Sequence, residues 1–257
     1  AHYGPGQVIH GLGGFSGSHG GLTFGFEIRD AAQNTRTAAL VIRLSPVGVR
    51  RASNTDVLRQ VPLLQALAAQ GFPVPPIRHY GADDAFFPTA YVMFEKMPGH
   101  SFIVWEPDAS FDLSDAAVGG LWRQAIGLVA RVHQFDWQHH LPDWEQPLDM
   151  AREITRWDPV LEKAAEPAWK ALGEGVRELL LATPRPPSPV GLMHGDCQPG
   201  NILFDERGEV VALLDWELSG IGPQYYDLAW LVMIGDRANW HPDWYAHNPL
   251  TPEEMIA

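Results

Sequence analysis

Between Val190 and Asp227 the chain reads V-G-L-M-H-G-D-C-Q-P-G-N-I-L-F-D, then V-V-A-L-L-D-W-E, then Y-Y-D-L-A-W. Two short apolar runs flank a polar loop with His194, Asp196 and Asn201, and a third run, Val210 to Leu214, ends on Asp215. Carboxylate and amide oxygens at the tips of strands suit Mg²⁺, which prefers oxygen ligands and takes few of them from protein when phosphates supply the rest. One carboxylate that accepts a hydroxyl proton and two oxygens that hold a metal are the parts phosphoryl transfer asks for.

His-x-Asp with Asn five residues beyond the Asp resembles the catalytic loop of protein kinases and their small-molecule relatives. The wording H-G-D-x-x-x-x-N, with D-W-E in place of D-F-G, is similar to the aminoglycoside phosphotransferase family. Tyr226-Asp227-Leu228-Ala229 meets that family's next landmark, a helix start. Choline and ethanolamine kinases, relatives of the same fold, use a loop resembling D-C-Q-P-G-N. The resemblance implies an α+β, two-lobed protein-kinase-like fold. Residues 1–97 would form a small antiparallel-sheet, nucleotide-binding lobe with one main helix; 98–257 would form a mostly helical lobe carrying the catalytic and metal-binding loops. It implies ATP or GTP as donor, Mg²⁺ as cofactor, Asp196 as base, and Asn201 and Asp215 as metal ligands. Gln198 falls where protein kinases keep a lysine on the γ-phosphate. His194 is expected to brace the loop, Asp227 to anchor it, and Cys197 to pack inward rather than act as a nucleophile.

The elements that must position these groups begin with G-L-G-G-F-S-G-S-H-G-G, Gly11 to Gly21. Strict G-x-G-x-x-G fails at Ser16, yet glycine-exposed amides and the hydroxyls of Ser16 and Ser18 suit phosphate oxygens; a plain N-terminal arm is the other reading. Leu22–Ile28 and Ala39–Leu44 alternate as strands, joined by a polar turn. The first lysine is Lys96, so Arg43 in L-V-I-R-L stands where the resemblance wants a phosphate-binding cation. Thr55–Gln70 has helical periodicity, with Pro62 expected to kink or split it and Gly71 to stop it. That helix offers no glutamate for Arg43, and Gln60 takes the corresponding place as a hydrogen-bond partner. Ala90–Met97 reads as the last small-lobe strand running into a hinge. There the resemblance puts Phe94 at the rear of the nucleotide pocket and the backbones of Glu95 and Met97 on the base edge.

Ser114–Trp137 is a long amphipathic core helix on which His133 is structural. His139-His140 has no companions at zinc-site spacing. Glu145–Leu181 holds at least one more helix, and P-R-P-P-S-P is a stiff linker into the catalytic strand. Thr251, Pro252 and two glutamates open a final helix, and the family's large lobe continues well past Ala257, so 98–257 is expected to be incomplete.

The 257 residues suffice for one large core or two modest ones. No apolar run approaches the ~18 residues of a membrane span, no export signal is apparent, and a lone cysteine suits a reducing cytoplasm. Charge is uneven: residues 1–95 hold seven Arg and six acids, a net +1, while the remaining 11 basic and 25 acidic residues net −14. That balance argues against a nucleic-acid partner, and an acidic half can steer a cationic substrate. A Walker-type NTPase is excluded because no Gly-Lys pair exists. The expected function is phosphoryl transfer to a hydroxyl of a small molecule, aminoglycoside-like or another natural product. Alternatives are a nucleotide-binding module with little turnover and a choline/ethanolamine-type kinase.

Overall fold

The computed structural model describes residues 3–15, 22–48, 51, 53–185, 187–241 and 246–256. Ser16 and Ser18 lie outside them.

The first strands form an antiparallel sheet in the order β1-β2-β3-β5-β4: β1 (Gln7–Gly14), β2 (Leu22–Asp30), β3 (Arg36–Leu44), β4 (Ile77–Gly81) and β5 (Tyr91–Glu95). Period-2 alternation sorts the side chains of β2 and β3. Phe26, Ile28, Leu40 and Ile42 close a core on one face, each such burial contributing about 1.5–3 kcal/mol. Val41 and Arg43 therefore go to the other face, where a cleft opens. The glycine-rich segment is a strand as far as Gly14, paired with β2 through a bulge between His10 and Gly13.

Pro62 does not kink the following helix. Short 3-10 turns cover Ser53–Thr55 and Val57–Arg59, and α1 starts only at Gln60 and runs to Ala69. Pro62 thus falls in the first turn, where its missing N–H has no intrahelical acceptor to lose. Gly71 ends the helix at φ 70°.

The rest is mainly helical. After β6 (His100–Ser101) come α2 (Asp115–His133), α3 (Trp137–His140), α4 (Met150–Thr155), α5 (Asp158–Glu162) and α6 (Pro167–Ala182). Ser114 caps α2, and Val118, Leu121, Trp122, Ala125, Leu128, Val129 and Val132 bury one stripe of it at helical spacing. Then β7 (Val190–Met193) pairs with β10 (Gly220–Pro223), while β8 (Ile202–Phe204) lies between β6 and β9 (Val210–Leu213). The chain closes with α7 (Tyr225–Gly235) and α8 (Pro252–Ile256). Thr251 and Glu254 cap α8 reciprocally, side chain to backbone N–H in each direction.

The main core joins α2, β7, β8 and α7 to Leu63, Leu64 and Leu67 of α1. α1 therefore packs partly with the helical part, and that contact sets the sheet against β7, β8 and β9. Among the described residues no helix is long and apolar enough to cross a membrane.

Candidate active site

The loop between β7 and β8 is held from behind by one buried carboxylate. Asp227, in the first turn of α7, accepts from the backbone N–H of His194 at 2.9 Å and of Gly195 at 2.8 Å. His133 reaches its Oδ2 at 3.2 Å. Gly195 has φ +85°, and a Cβ there would sit 2.3 Å from the Leu218 carbonyl oxygen; only glycine fits. His194 is fully buried and braces the loop: its Nδ1 accepts from the Asp196 N–H at 3.2 Å and its Nε2–H donates to the Leu214 carbonyl at 2.9 Å. Those two bonds fix a neutral tautomer.

The Asp196 carboxylate meets three donors. Oδ1 accepts from Trp230 Nε1 at 2.7 Å and Gln198 Nε2 at 3.2 Å, and Oδ2 accepts from Asn201 Nδ2 at 2.9 Å. Burial pushes its carboxyl above the ordinary value, while the bonds from Asn201, Trp230 and Gln198 pull the other way. Asn201 Nδ2 also donates to the Asp196 carbonyl at 2.8 Å, so its amide nitrogen is committed and its oxygen is the end left for a cation. Asp215 sits past β9 in a left-handed conformation, φ 60° and ψ 58°, one of two non-glycine residues with positive φ among those described. Such strain concentrates at functional sites.

A cleft of about 460 Å³ lies between the sheet and the β8–β9 strands. Arg43, Gln60, Phe94, Glu95, Met97, Asn201 and Asp215 all line it. Asp196 is tied to this wall through Asn201. The Arg43 guanidinium donates to Asp215 Oδ1 at 2.8 Å and to Glu217 Oε2. The expected bond from Gln60 is replaced by these two, because the D-W-E turn brings its own carboxylates under β3. The Glu95 N–H is spent on the Pro76 carbonyl at 2.9 Å. Cys197 is fully buried, and burial raises its thiol well above the ordinary value, the opposite of what a nucleophile needs.

Three contributors were not singled out from sequence. Glu217 was visible as the third letter of D-W-E, where D-F-G has glycine. Trp230 was in view only as the last letter of Y-Y-D-L-A-W. Arg59, bonded to Glu145 and to the carbonyls of Glu217 and Ser219, left no trace, since its partners are 86 to 160 positions away.

An antiparallel small sheet over a helical body, with Asp-Asn-Asp chemistry at the junction, defines a kinase-like phosphotransferase fold. Superposition agrees: an aminoglycoside-3'-phosphotransferase of type VIII matches with a TM-score of 0.64 at 19% identity, over 100% of this chain and 86% of that one. The aminoglycoside phosphotransferase APH(2")-IIIa, solved with GDP and kanamycin, matches with 0.64 at 15% identity, over 97% and 77%. The sequence profile of the phosphotransferase enzyme family, APH, matches residues 25–248, and the chain belongs to that family. Among curated proteins, acyl-CoA dehydrogenase family member 10 of Mus musculus is 28% identical over 194 residues, 74% of this chain and 18% of that protein. The chain thus spans under a fifth of that relative's length.

Proposed function

We propose that this phosphotransferase moves the γ-phosphoryl of ATP or GTP onto a hydroxyl of a small molecule, between a nucleotide lobe at 1–97 and a helical lobe at 98–257. The observation that carries the reading is the bonded pair Asp196–Asn201 beside Asp215 on the β8–β9 wall of the cleft, with Arg43 reaching Asp215 from the sheet opposite. Phe94 backs the base, and the Glu95 carbonyl and Met97 amide take its edge. Arg43, Gln198 through its second N–H, and the Ser16 and Ser18 hydroxyls meet the phosphates. Asn201 and Asp215 hold Mg²⁺, an assignment supported by the free amide oxygen of Asn201 and by the partial exposure of Asp215 in the cleft. Bound Mg²⁺ supplies charge neutralisation at the phosphates. Asp196 orients the acceptor hydroxyl and takes its proton as the new P–O bond forms and the nucleoside diphosphate leaves.

Two classes of acceptor compete. The acidic second part and the kanamycin-bound neighbour favour a cationic aminoglycoside. The name of the curated relative favours an acyl thioester bearing a hydroxyl. Nucleoside diphosphate release with Mg²⁺ is to be measured over kanamycin, choline, a macrolide and hydroxyacyl-CoA, with the native chain and Asp196→Ala. Acceptor-dependent release lost in Asp196→Ala supports the kinase. Nucleotide binding without release in either protein leaves the binding module, and release that survives Asp196→Ala removes Asp196 from the chemistry.

A further inference from the structure

Trp230 stands three residues after Asp227 on α7, so one face of one helix reaches the catalytic loop twice. Asp227 fixes the backbone at His194 and Gly195, and Trp230 fixes the side chain of the next residue, Asp196, at 2.7 Å. An indole carries a single donor, and here it is spent on a carboxylate, in a charge-assisted geometry at the short end of the N–H···O range. The ring packs against the main core, so the donor is held by a rigid body rather than a flexible chain.

A carboxylate oxygen offers about two acceptor sites. Oδ1 is filled by Trp230 and Gln198, whereas Oδ2 takes only Asn201. We infer that Trp230 is a positioning residue for phosphoryl transfer, saturating Asp196 Oδ1 so that Oδ2 is the atom that meets the acceptor hydroxyl. The hydroxyl proton passes to Oδ2 as the hydroxyl oxygen bonds to phosphorus and the phosphorus–oxygen bond to the leaving nucleoside diphosphate breaks. This rests on the kinase reading above and adds to it which carboxylate oxygen works and what aims it. Withdrawing the indole N–H leaves a half-satisfied Oδ1 that competes for the hydroxyl.

The test uses the full chain and needs no identified acceptor. Among the 10 tryptophans, the indole ¹H–¹⁵N signal lost in Trp230→Phe is that of residue 230. At fixed neutral pH that signal is expected downfield, as a bond to a carboxylate oxygen requires, and to shift upfield in Asp196→Asn. For phosphate release from Mg·ATP to water, Trp230→Phe is expected to lower kcat about tenfold and to leave nucleotide KM unchanged. Trp230→His, which keeps an N–H, should recover part of the loss. An indole signal that does not move in Asp196→Asn, or a native kcat in Trp230→Phe, overturns the inference. If Asp196→Asn transfers phosphate as fast as the native chain, the kinase reading of Asp196 fails instead, whatever the indole does.

Discussion

Arg43 on β3 donates to Glu217, two residues past the Asp215 that it also contacts at 2.8 Å. Protein kinases pair the strand cation with a glutamate of the small-lobe helix, but α1 has none, and its Gln60 is not the partner. The side chain of Glu217 is only 12% exposed, against 37% for Asp215. Under the proposed function, Glu217 is therefore the partner expected to stay with Arg43 if a cation takes Asp215. Glu217→Ala is expected to lower stability by about 1.5–3 kcal/mol and raise nucleotide KM about tenfold. Gln60→Glu in that background should restore part of the affinity, since Gln60 and Arg43 line the same cleft. Denaturant unfolding and nucleotide titration check both; unchanged affinity in Glu217→Ala refutes the role.

Asp227 satisfies two buried amides at once, so its loss leaves both N–H groups without their acceptor. Asp227→Ala is expected to cost about 3–5 kcal/mol and to abolish turnover with the folded fraction. Gly195→Ala tests the same loop from the front: left-handed backbone costs about 1–2 kcal/mol for an L-residue, and the clash with the Leu218 carbonyl adds to it. Thermal melts with and without nucleotide measure each. A Gly195→Ala protein as stable and active as the native chain would show that Leu218 moves aside freely.

How legible all this was depends on the range of the interaction. The loop from His194 to Asp215 declares itself because its chemistry sits within about twenty residues, each polar group beside an apolar strand. Arg43 was readable only through the resemblance, which wants a cation on that strand where the chain has no lysine before Lys96. Its partner was not, since the sequence shows that α1 lacks a glutamate without showing what the fold brings under β3 in its place. Pro62 misled because periodicity began the helix at Thr55, whereas the Asp56 side chain caps a 3-10 turn by accepting from the Leu58 N–H at 3.1 Å, which delays α1 to Gln60. Trp230 followed the pattern of a buried helix, and an apolar pattern is silent about where one N–H points.

Glu153 on α4 is 1% exposed, bonded to Arg156 at 3.0 Å through Oε2, with Oε1 lacking a hydrogen-bond partner among the described residues. Burial raises its carboxyl, against the pull of Arg156. A raised folded value means the folded chain holds this proton more tightly than the unfolded one. Its contribution is then fully present below the unfolded value of about 4.3 and is lost as pH rises through the folded value. Glu153→Gln mimics the protonated form at every pH. It is expected to match the native chain in acid and to exceed its stability at neutral pH. Unfolding midpoints across that window decide, and a variant less stable than the native chain at neutral pH contradicts the expectation.

Arg59 ties three distant segments together just before α1. Its guanidinium bonds Glu145 and the carbonyls of Glu217 and Ser219, and it lies 4.9 Å over the Trp144 ring, whose Nε1 donates to the Arg59 carbonyl at 2.8 Å. A planar fork can serve several acceptors at fixed angles while covering an aromatic face; an ammonium cannot. Arg59→Lys, though it keeps the charge, is expected to lose about 2–3 kcal/mol and to raise nucleotide KM, because α1 and the D-W-E turn lose their common support. Catalysis at saturating nucleotide should change less, as Asp196 is held by α7 and Asn201 instead. A double-mutant cycle with Glu145→Gln separates the ion pair from the carbonyl bonds: coupling of about 1 kcal/mol or more is expected for residues in direct contact. If Arg59→Lys lowers kcat and leaves KM alone, then Arg59 supports the catalytic loop rather than the nucleotide wall, and the route by which α1 sets the cleft must run through Leu63, Leu64 and Leu67 of the shared core.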